Sequence, residues 1–333
     1  MARSKTIYIE RLTALWALNE SGLGGFLHMF NTPFTGLIVG GISILMVSLI
    51  AYYALQKWQA VLRALMIVLI VKMAVSPHSP VGAYAAVSFQ GLVGAFLFSN
   101  FSWKGLTIPL LGLLTFLESA LQKILVLTII YGNGFWEAID FYGKWIQSKL
   151  HVAVIDSTAN TLIWIYVTTY VLFGILAGFF IKRIIELLSD LPETDFELPV
   201  AFRPSNGVLQ KHQKPHKFFI VWLSTMTLLL IGFTIFSDLS VGWQQGLYIL
   251  IRSLLVLSLW YLVLGPILLK LLKRYLHSKK SNYEEQVHQT LTVLPYLTPI
   301  ITYSWKETAA LKGYARFKLF IAQSISNCIH FKL

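Results

Sequence analysis

Eight stretches of this sequence are apolar over roughly the length a helix needs to cross a hydrocarbon layer, about 20 residues. They cover 12–30, 36–55, 60–76, 81–99, 106–131, 159–181, 218–236 and 246–269, the first of them weak and glycine-rich. No other feature constrains the chain so tightly. In lipid every backbone N–H and C=O must be satisfied within the protein, and a helix satisfies them within one segment. Composition agrees. Of the residues, 56% are hydrophobic and 13% charged, with mean hydropathy +0.65, where a soluble domain carries about 25% charge. The expected fold is an all-α integral membrane protein, a polytopic helix bundle of six spans plus two, with amphipathic cytoplasmic helices at its C-terminal end.

The net charge of +12 does not point to nucleic acid, because the basic residues gather at the ends of apolar runs, the pattern that orients spans. With Arg3, Lys5 and Arg11 in the cytoplasm, the cytoplasmic ends carry Lys57, Arg63, Lys104, Lys182, Arg183, Lys211, Lys214, Lys217, Lys270, Lys273 and Arg274. Of the outer loops 31–35, 77–80, 132–158 and 237–245, only 132–158 holds Lys or Arg, at Lys144 and Lys149. Both termini are therefore expected inside a plasma (inner) membrane. The N-terminus is not a clean signal peptide, since Glu10, Asn19 and Glu20 interrupt its apolar stretch. The single cysteine, Cys328, excludes an internal disulfide.

The chain divides into a six-span unit (1–185), a proline-bearing cytoplasmic linker (186–217), a two-span segment (218–272) and a cytoplasmic or interfacial tail (273–333). In the tail, Ser281 and Glu284 have capping-box spacing for a helix to about residue 294. Pro295 and Pro299 are expected to break it. Residues 300–331 read as helical, with Phe317, Ile321, Ile325, Cys328 and Ile329 on one face and Lys318, Ser324 and Asn327 away from it. These helices would lie along the membrane surface or pack on a partner. In the outer loop, Phe135, Ile139, Tyr142 and Ile146 recur at helical spacing, and Trp136 and Trp145 suit an interface. That helix is either interfacial or a lid over an outward-facing pocket.

Motifs for chemistry are missing. There is no metal-ligand spacing, nucleophile elbow, phosphate loop or paired-carboxylate motif, so neither a cofactor nor enzymatic activity is expected. His212 and His216 are four apart but lie in the linker without an acid or cysteine pattern. What remains are polar residues at membrane depth, which are costly there and are functional candidates for that reason. Lys72 lies near the outer end of the third span, where it either snorkels or takes a partner. Glu118 lies mid-span in the fifth, one turn before Gln122, and either pairs with Lys72, contacts substrate or is a protonated structural residue. Arg252 in the eighth span also needs a partner or an interface.

The stretch SPHSPVGAYAAVSFQG (76–91) joins the third and fourth spans at the outer surface. Its prolines stiffen a turn bearing His78, and Tyr84 and Gln90 project from early turns of the next helix. His28 and Asn31 lie in the first loop on the same side. Each alone is an ordinary turn residue; together they suggest a binding face. In the first span Ala17, Ser21 and Gly25 recur at i, i+4 and i+8, a small-residue stripe that permits close helix contact, within the chain or with a removable partner.

ALNESGLGGFLHMFNTPFTGLIVGG (17–41) and SPHSPVGAYAAVSFQGLVG (76–94), in a six-span unit with a weak first helix, resemble the substrate-binding S component of energy-coupling factor transporters. The resemblance implies a vitamin or micronutrient importer, substrate bound near the outer surface, and Ala17, Ser21 and Gly25 in contact with a T component, with serine and glycine replacing two of the family's alanines. LPYLTPIITYSWKETAALKGYARF (294–317) resembles, more distantly, the coupling helices of a T component. The Ala-Arg-Gly signature expected to dock on ATPase subunits is replaced by Ala310-Leu311-Lys312-Gly313. Substrate would then meet His28, Asn31, Lys72, His78, Tyr84, Gln90 and Glu118, and partners would meet Lys312 and Gly313. Two other classes fit the sequence. One is a membrane scaffold or assembly protein; the other is a membrane enzyme acting on lipid or prenyl substrates, for which no Asp-rich site is present.

Overall fold

The computed structural model describes residues 2–23, 35–76, 79–101, 105–150, 158–192, 194–202, 251, 255–256, 259–280 and 283–332. Ten α-helices account for nearly all of them: α1 Ala2–Leu18, α2 Thr35–Tyr53, α3 Lys57–Val75, α4 Val81–Asn100, α5 Thr107–Tyr131, α6 Asn133–Leu150, α7 Thr158–Asp190, α8 Gly265–Lys280, α9 Glu284–Glu307 and α10 Gly313–Ile329. Among the described residues there is no strand, only an isolated bridge between Phe196 and Phe331.

Among the described residues five helices are long and apolar enough to cross a membrane: α2, α3, α4, α5 and α7. They match the second to sixth expected spans. α2 reads TGLIVGGISILMVSLIAYY, with no polar face, and a helix apolar all round belongs at the centre of a bundle. It touches α1, α3, α4, α5 and α7, and Ile44 to Ala51 are buried in unbroken succession. α5 and α7 lie outside it and pack on each other. Only 17% of each of their spans is buried, against 56% for α2. Leu172, Phe173 and Leu176 on α7 stand more than half exposed, an apolar surface that only lipid or another protein would cover.

The close packing of α5 on α7 follows from three glycines. A Cβ on Gly112, Gly174 or Gly178 would come closer than 3 Å to backbone atoms of the facing helix. Gly174 and Gly178 are four apart, the small-xxx-small spacing that lets two helix backbones touch.

The first expected span is not among the five. α1 holds Arg11 and Glu10 and ends at Leu18, where a π turn, Asn19–Leu23, takes over. Its apolar face, Leu12, Trp16 and Ala17, is nonetheless fully buried, packed on α2 and α3. The remainder of span 12–30, all of 218–236, and residues 246–250, 252–254 (with Arg252) and 257–258 of the eighth span lie outside the described residues. The described part of the eighth is the helical positions 251, 255 and 256, a π stretch, Leu259–Leu264, and the start of α8.

The chain termini share one end of the bundle. Tyr8 of α1 meets Tyr53 of α2 at 5.4 Å between ring centroids and His330 at 5.1 Å. Lys57, Lys182 and Arg183 belong to the same end, as the alternation of the spans requires.

The C-terminal region departs most from expectation. α9 does not break at its prolines: it runs continuously from Glu284 to Glu307 through Pro295 and Pro299. The buried stripe Val287, Thr290, Val293, Leu297, Ile300 and Ser304 continues across both. Pro295 is exposed and Pro299 half-buried, so neither missing N–H falls on that stripe. Side-chain burial therefore outweighs a local penalty of about 3 kcal/mol per interior proline. The chain turns instead at Thr308–Ala310 and Leu311, and α10 starts at Gly313, whose φ of 61° suits a glycine. The capping-box serine, Ser281, lies outside the described residues; Tyr283 precedes α9 and makes no side-chain cap.

α9 and α10 form a hairpin packed on α1, with α10 also against α7 and α9 against α3. The buried face of α10 is Ala322, Ile325, Cys328 and Ile329 together with Ser324 and Asn327. The last two were expected to face away. Asn327 donates to Ser304 Oγ of α9 at 3.1 Å, so the hairpin interior holds a polar contact that a hydrophobic periodicity does not display. Phe317, expected inward, is about half exposed and stacks on Phe180 of α7.

The expected linker is not free at its start. α7 continues to Asp190, and Phe196 then pairs with the chain end: its N–H donates to the His330 carbonyl (3.0 Å) and its carbonyl accepts from Lys332 N–H (2.9 Å). Leu198 is buried in the core. Residues 203–217, with His212 and His216, lie outside the described residues.

Candidate functional site

A charged pair lies inside the bundle, toward the end opposite the termini. Lys72 is three residues from the end of α3, and Glu20 is the second residue of the π turn that follows α1. Lys72 Nζ sits 2.8 Å from Glu20 Oε2, with side chains 4% and 3% exposed. The other carboxylate oxygen, Oε1, accepts from Ser43 Oγ of α2 at 2.6 Å. Ser43 Oγ in turn accepts from Asn19 Nδ2 at 2.9 Å, and that amide also donates to the Val39 carbonyl at 3.0 Å. The Tyr84 ring of α4 also lies 5.9 Å from Lys72 Nζ, within cation–π range.

Local sequence explains the construction. The π turn widens the backbone so that Asn19, Glu20 and Ser21 are all buried, and such turns recur at functional positions. Ser21 Oγ is tied back to the Ala17 carbonyl. α4 begins at Val81 after Pro80, whose φ of −65° suits a helix entry. The preceding turn is closed by Ser79 N–H to the Ser76 carbonyl, 3.1 Å. Gln122 Nε2 of α5 donates to the Gly82 carbonyl at 3.0 Å. A Cβ at Gly82 would lie 2.7 Å from that nitrogen, so glycine permits the staple.

Among the described residues, two buried polar atoms of this cluster have no hydrogen-bond partner: Asn19 Oδ1 and Tyr84 Oη. Burying a polar atom unpaired costs about 1–3 kcal/mol, so the cluster keeps unused hydrogen-bonding capacity beside a neutral charge pair. Gln90 of α4 is also buried with its Oε1 unpaired.

The expected residues are thus partly brought together. Lys72 and Tyr84 share the cluster. Lys72 does not snorkel, and its partner is Glu20, not Glu118. Glu118 is half-buried on α5 with Oε2 buried and unpaired. His28, Asn31 and His78 lie outside the described residues, as does Gly25 of the small-residue stripe. Ala17 and Ser21 are buried within this chain, so they serve packing against its own helices. Lys312 and Gly313 stand exposed at the tip of the C-terminal hairpin. Asn19, Glu20 and Ser43 were missed as site residues. The signal was an acid in an otherwise apolar segment, needing a buried cation, with Lys72 available 52 residues on.

Among the described residues no group of His, Cys, Asp and Glu is arranged to hold a metal ion. No protein-family model, curated protein or solved structure matches the chain.

Proposed function

We propose that the chain is the substrate-capturing membrane subunit of a small-molecule importer, taking an amphoteric, ring-bearing cargo of the vitamin class from the outer face of a plasma (inner) membrane. The observation that supports this reading is the Lys72–Glu20 pair, 3–4% exposed among apolar spans and flanked by unused polar atoms of Asn19 and Tyr84. Separating such a pair leaves two uncompensated charges, at a cost of several kcal/mol. A ligand carrying both charges removes that cost: its anion takes Lys72, its cation takes Glu20, and its ring meets Tyr84. Gln90 and Glu118 would contact the ligand's remaining polar groups, and the loops with His28, Asn31 and His78 would close over it. Both termini would lie in the cytoplasm. ATPase subunits, with a T component, would act through the α9–α10 hairpin at Lys312 and Gly313. Because the hairpin packs on α1, α3 and α7, it would pass motion to α1, and so to Glu20, as a rigid body.

Native mass spectrometry of the protein purified gently from its own host tests the reading. The expected result is a small-molecule adduct and a co-purifying ATPase, with the adduct lost in Lys72→Met and Glu20→Gln and kept in Lys72→Arg. An adduct-free protein bound to another membrane protein would overturn it in favour of a scaffold. That second reading is favoured by the filled core beside the pair, where Leu12, Trp16, Ile44 and Ile70 are fully buried.

A further inference from the structure

α5, α6 and α7 line an open cleft of about 480 Å³, within the size range of small-molecule sites, and none of its lining residues belongs to the cluster around Lys72. Its walls include Leu127 of α5, Phe135 and Tyr142 of α6, and Leu162 and Tyr166 of α7. They are almost wholly apolar. Besides the hydroxyls of Tyr142 and Tyr166, the one polar group among the lining side chains is that of Lys123 of α5. This lysine is eight residues short of the helix end at Tyr131, about 12 Å of helix, on an exposed face of a candidate span. Among the described residues no carboxylate lies within ion-pair distance of it. No acid lines the cleft; of the two acids on α6, Asp140 caps α7 by accepting from Ala159 N–H at 2.6 Å and Glu137 stands exposed outside the cleft lining.

An ammonium with no carboxylate partner among the described residues is costly on a lipid-facing helix, and Lys123 lines an apolar trough to which α6 also contributes. The trough calls for hydrocarbon and the ammonium calls for an anion. One molecule supplies both. We propose that the cleft binds a single-chain amphipath with an anionic head, a long-chain carboxylate, with its chain along Leu127, Phe135 and Leu162 and its carboxylate on Lys123. A volume of about 480 Å³ favours one hydrocarbon chain over the two of a phospholipid. The proposal is independent of the importer reading, since it uses none of the residues around Lys72.

The test uses the full chain in nanodiscs and a diazirine-bearing palmitate, with adducts mapped by mass spectrometry. Adducts are expected on peptides covering 123–142 and 158–166. Palmitate should compete and hexadecanol should not. Lys123→Gln should lower labelling about tenfold, as befits losing a charged hydrogen bond, while Lys123→Arg keeps it. Ala138→Phe, which fills the cleft with Lys123 intact, should block labelling and decides the matter if Lys123→Gln fails to fold. Equal competition by hexadecanol, competition by phosphatidylglycerol in place of palmitate, or unchanged labelling in Lys123→Gln or Ala138→Phe would overturn the proposal.

Discussion

At the scale of single residues, the buried pair carries the sharpest consequence. Removing one partner strands the other in a low-dielectric interior. Lys72→Met is expected to cost about 3–5 kcal/mol, read as a lowered thermal unfolding temperature in detergent. The double variant Lys72→Met, Glu20→Leu should recover most of that loss, because an apolar pair of similar volume needs no solvation. If both single variants melt like the wild type, the pair is not closed in the membrane-free protein. Cys328 offers a second check. Burial pushes its thiol up to about 12, with Arg11 opposing. The folded chain therefore keeps this proton at pH values where an unfolded thiol, with a pKa of about 8.5, has lost it. Above that pH the unfolded state binds fewer protons, so stability falls as pH rises, by at most about 1.4 kcal/mol per pH unit. Cys328→Ala should flatten that fall. A maleimide should leave native Cys328 unmodified at pH 8 and label it only after unfolding; rapid native labelling would contradict its burial.

At the scale of elements, the α5–α7 contact depends on having no side chain at three positions. Gly174→Ala or Gly178→Ala sets a methyl group against the backbone of α5, and overpacking of this kind costs about 1–3 kcal/mol or more. The same substitution at Gly313, which has nothing within 4 Å, meets no neighbour and should cost only the strain of its positive φ. Thermal unfolding of the three variants should rank them in that order. α9 gives a prediction of opposite sign. Pro295 is exposed and off the buried stripe, so Pro295→Ala should raise the unfolding temperature by restoring an N–H to the helix. A fall would mean that the hairpin requires the proline's bend.

At the scale of the whole molecule, the last seventeen residues of helix belong to the fold and are not an appendage. Removing α10 would uncover the faces of α1 and α7 that it packs on and break the Phe196–Phe331 bridge. A chain ending at residue 312 is expected to lose folded yield and become protease-sensitive at α9; a full yield of stable protein would return the tail to the status of a separate docking arm. The exposed Lys332–Asp195 pair only trims this closure. Asp195 raises the lysine's pKa, so its small contribution is present below the lysine's ordinary pKa and lost as pH rises through the raised value.

Length and hydropathy by themselves determined the helical class and the places of α2 to α5 and α7, because a span's apolar length is a local property that lipid demands of each segment separately. The amphipathic α6 was legible for the same reason, since Phe135, Ile139 and Ile146 repeat within a few turns. Tertiary structure decided the rest. Only packing across 52 residues could choose Glu20 over Glu118 for Lys72, as both acids lie in apolar segments and differ in what faces them. Only the buried stripe on α9 could carry a helix through Pro295 and Pro299, because the offsetting energy comes from α1 and α10. Only the return of the chain end to Phe196 and α1 could make a tail expected at the membrane surface or on a partner pack as part of the bundle. Each of these outcomes depends on energies shared between distant segments, and a linear pattern records only what each segment prefers alone.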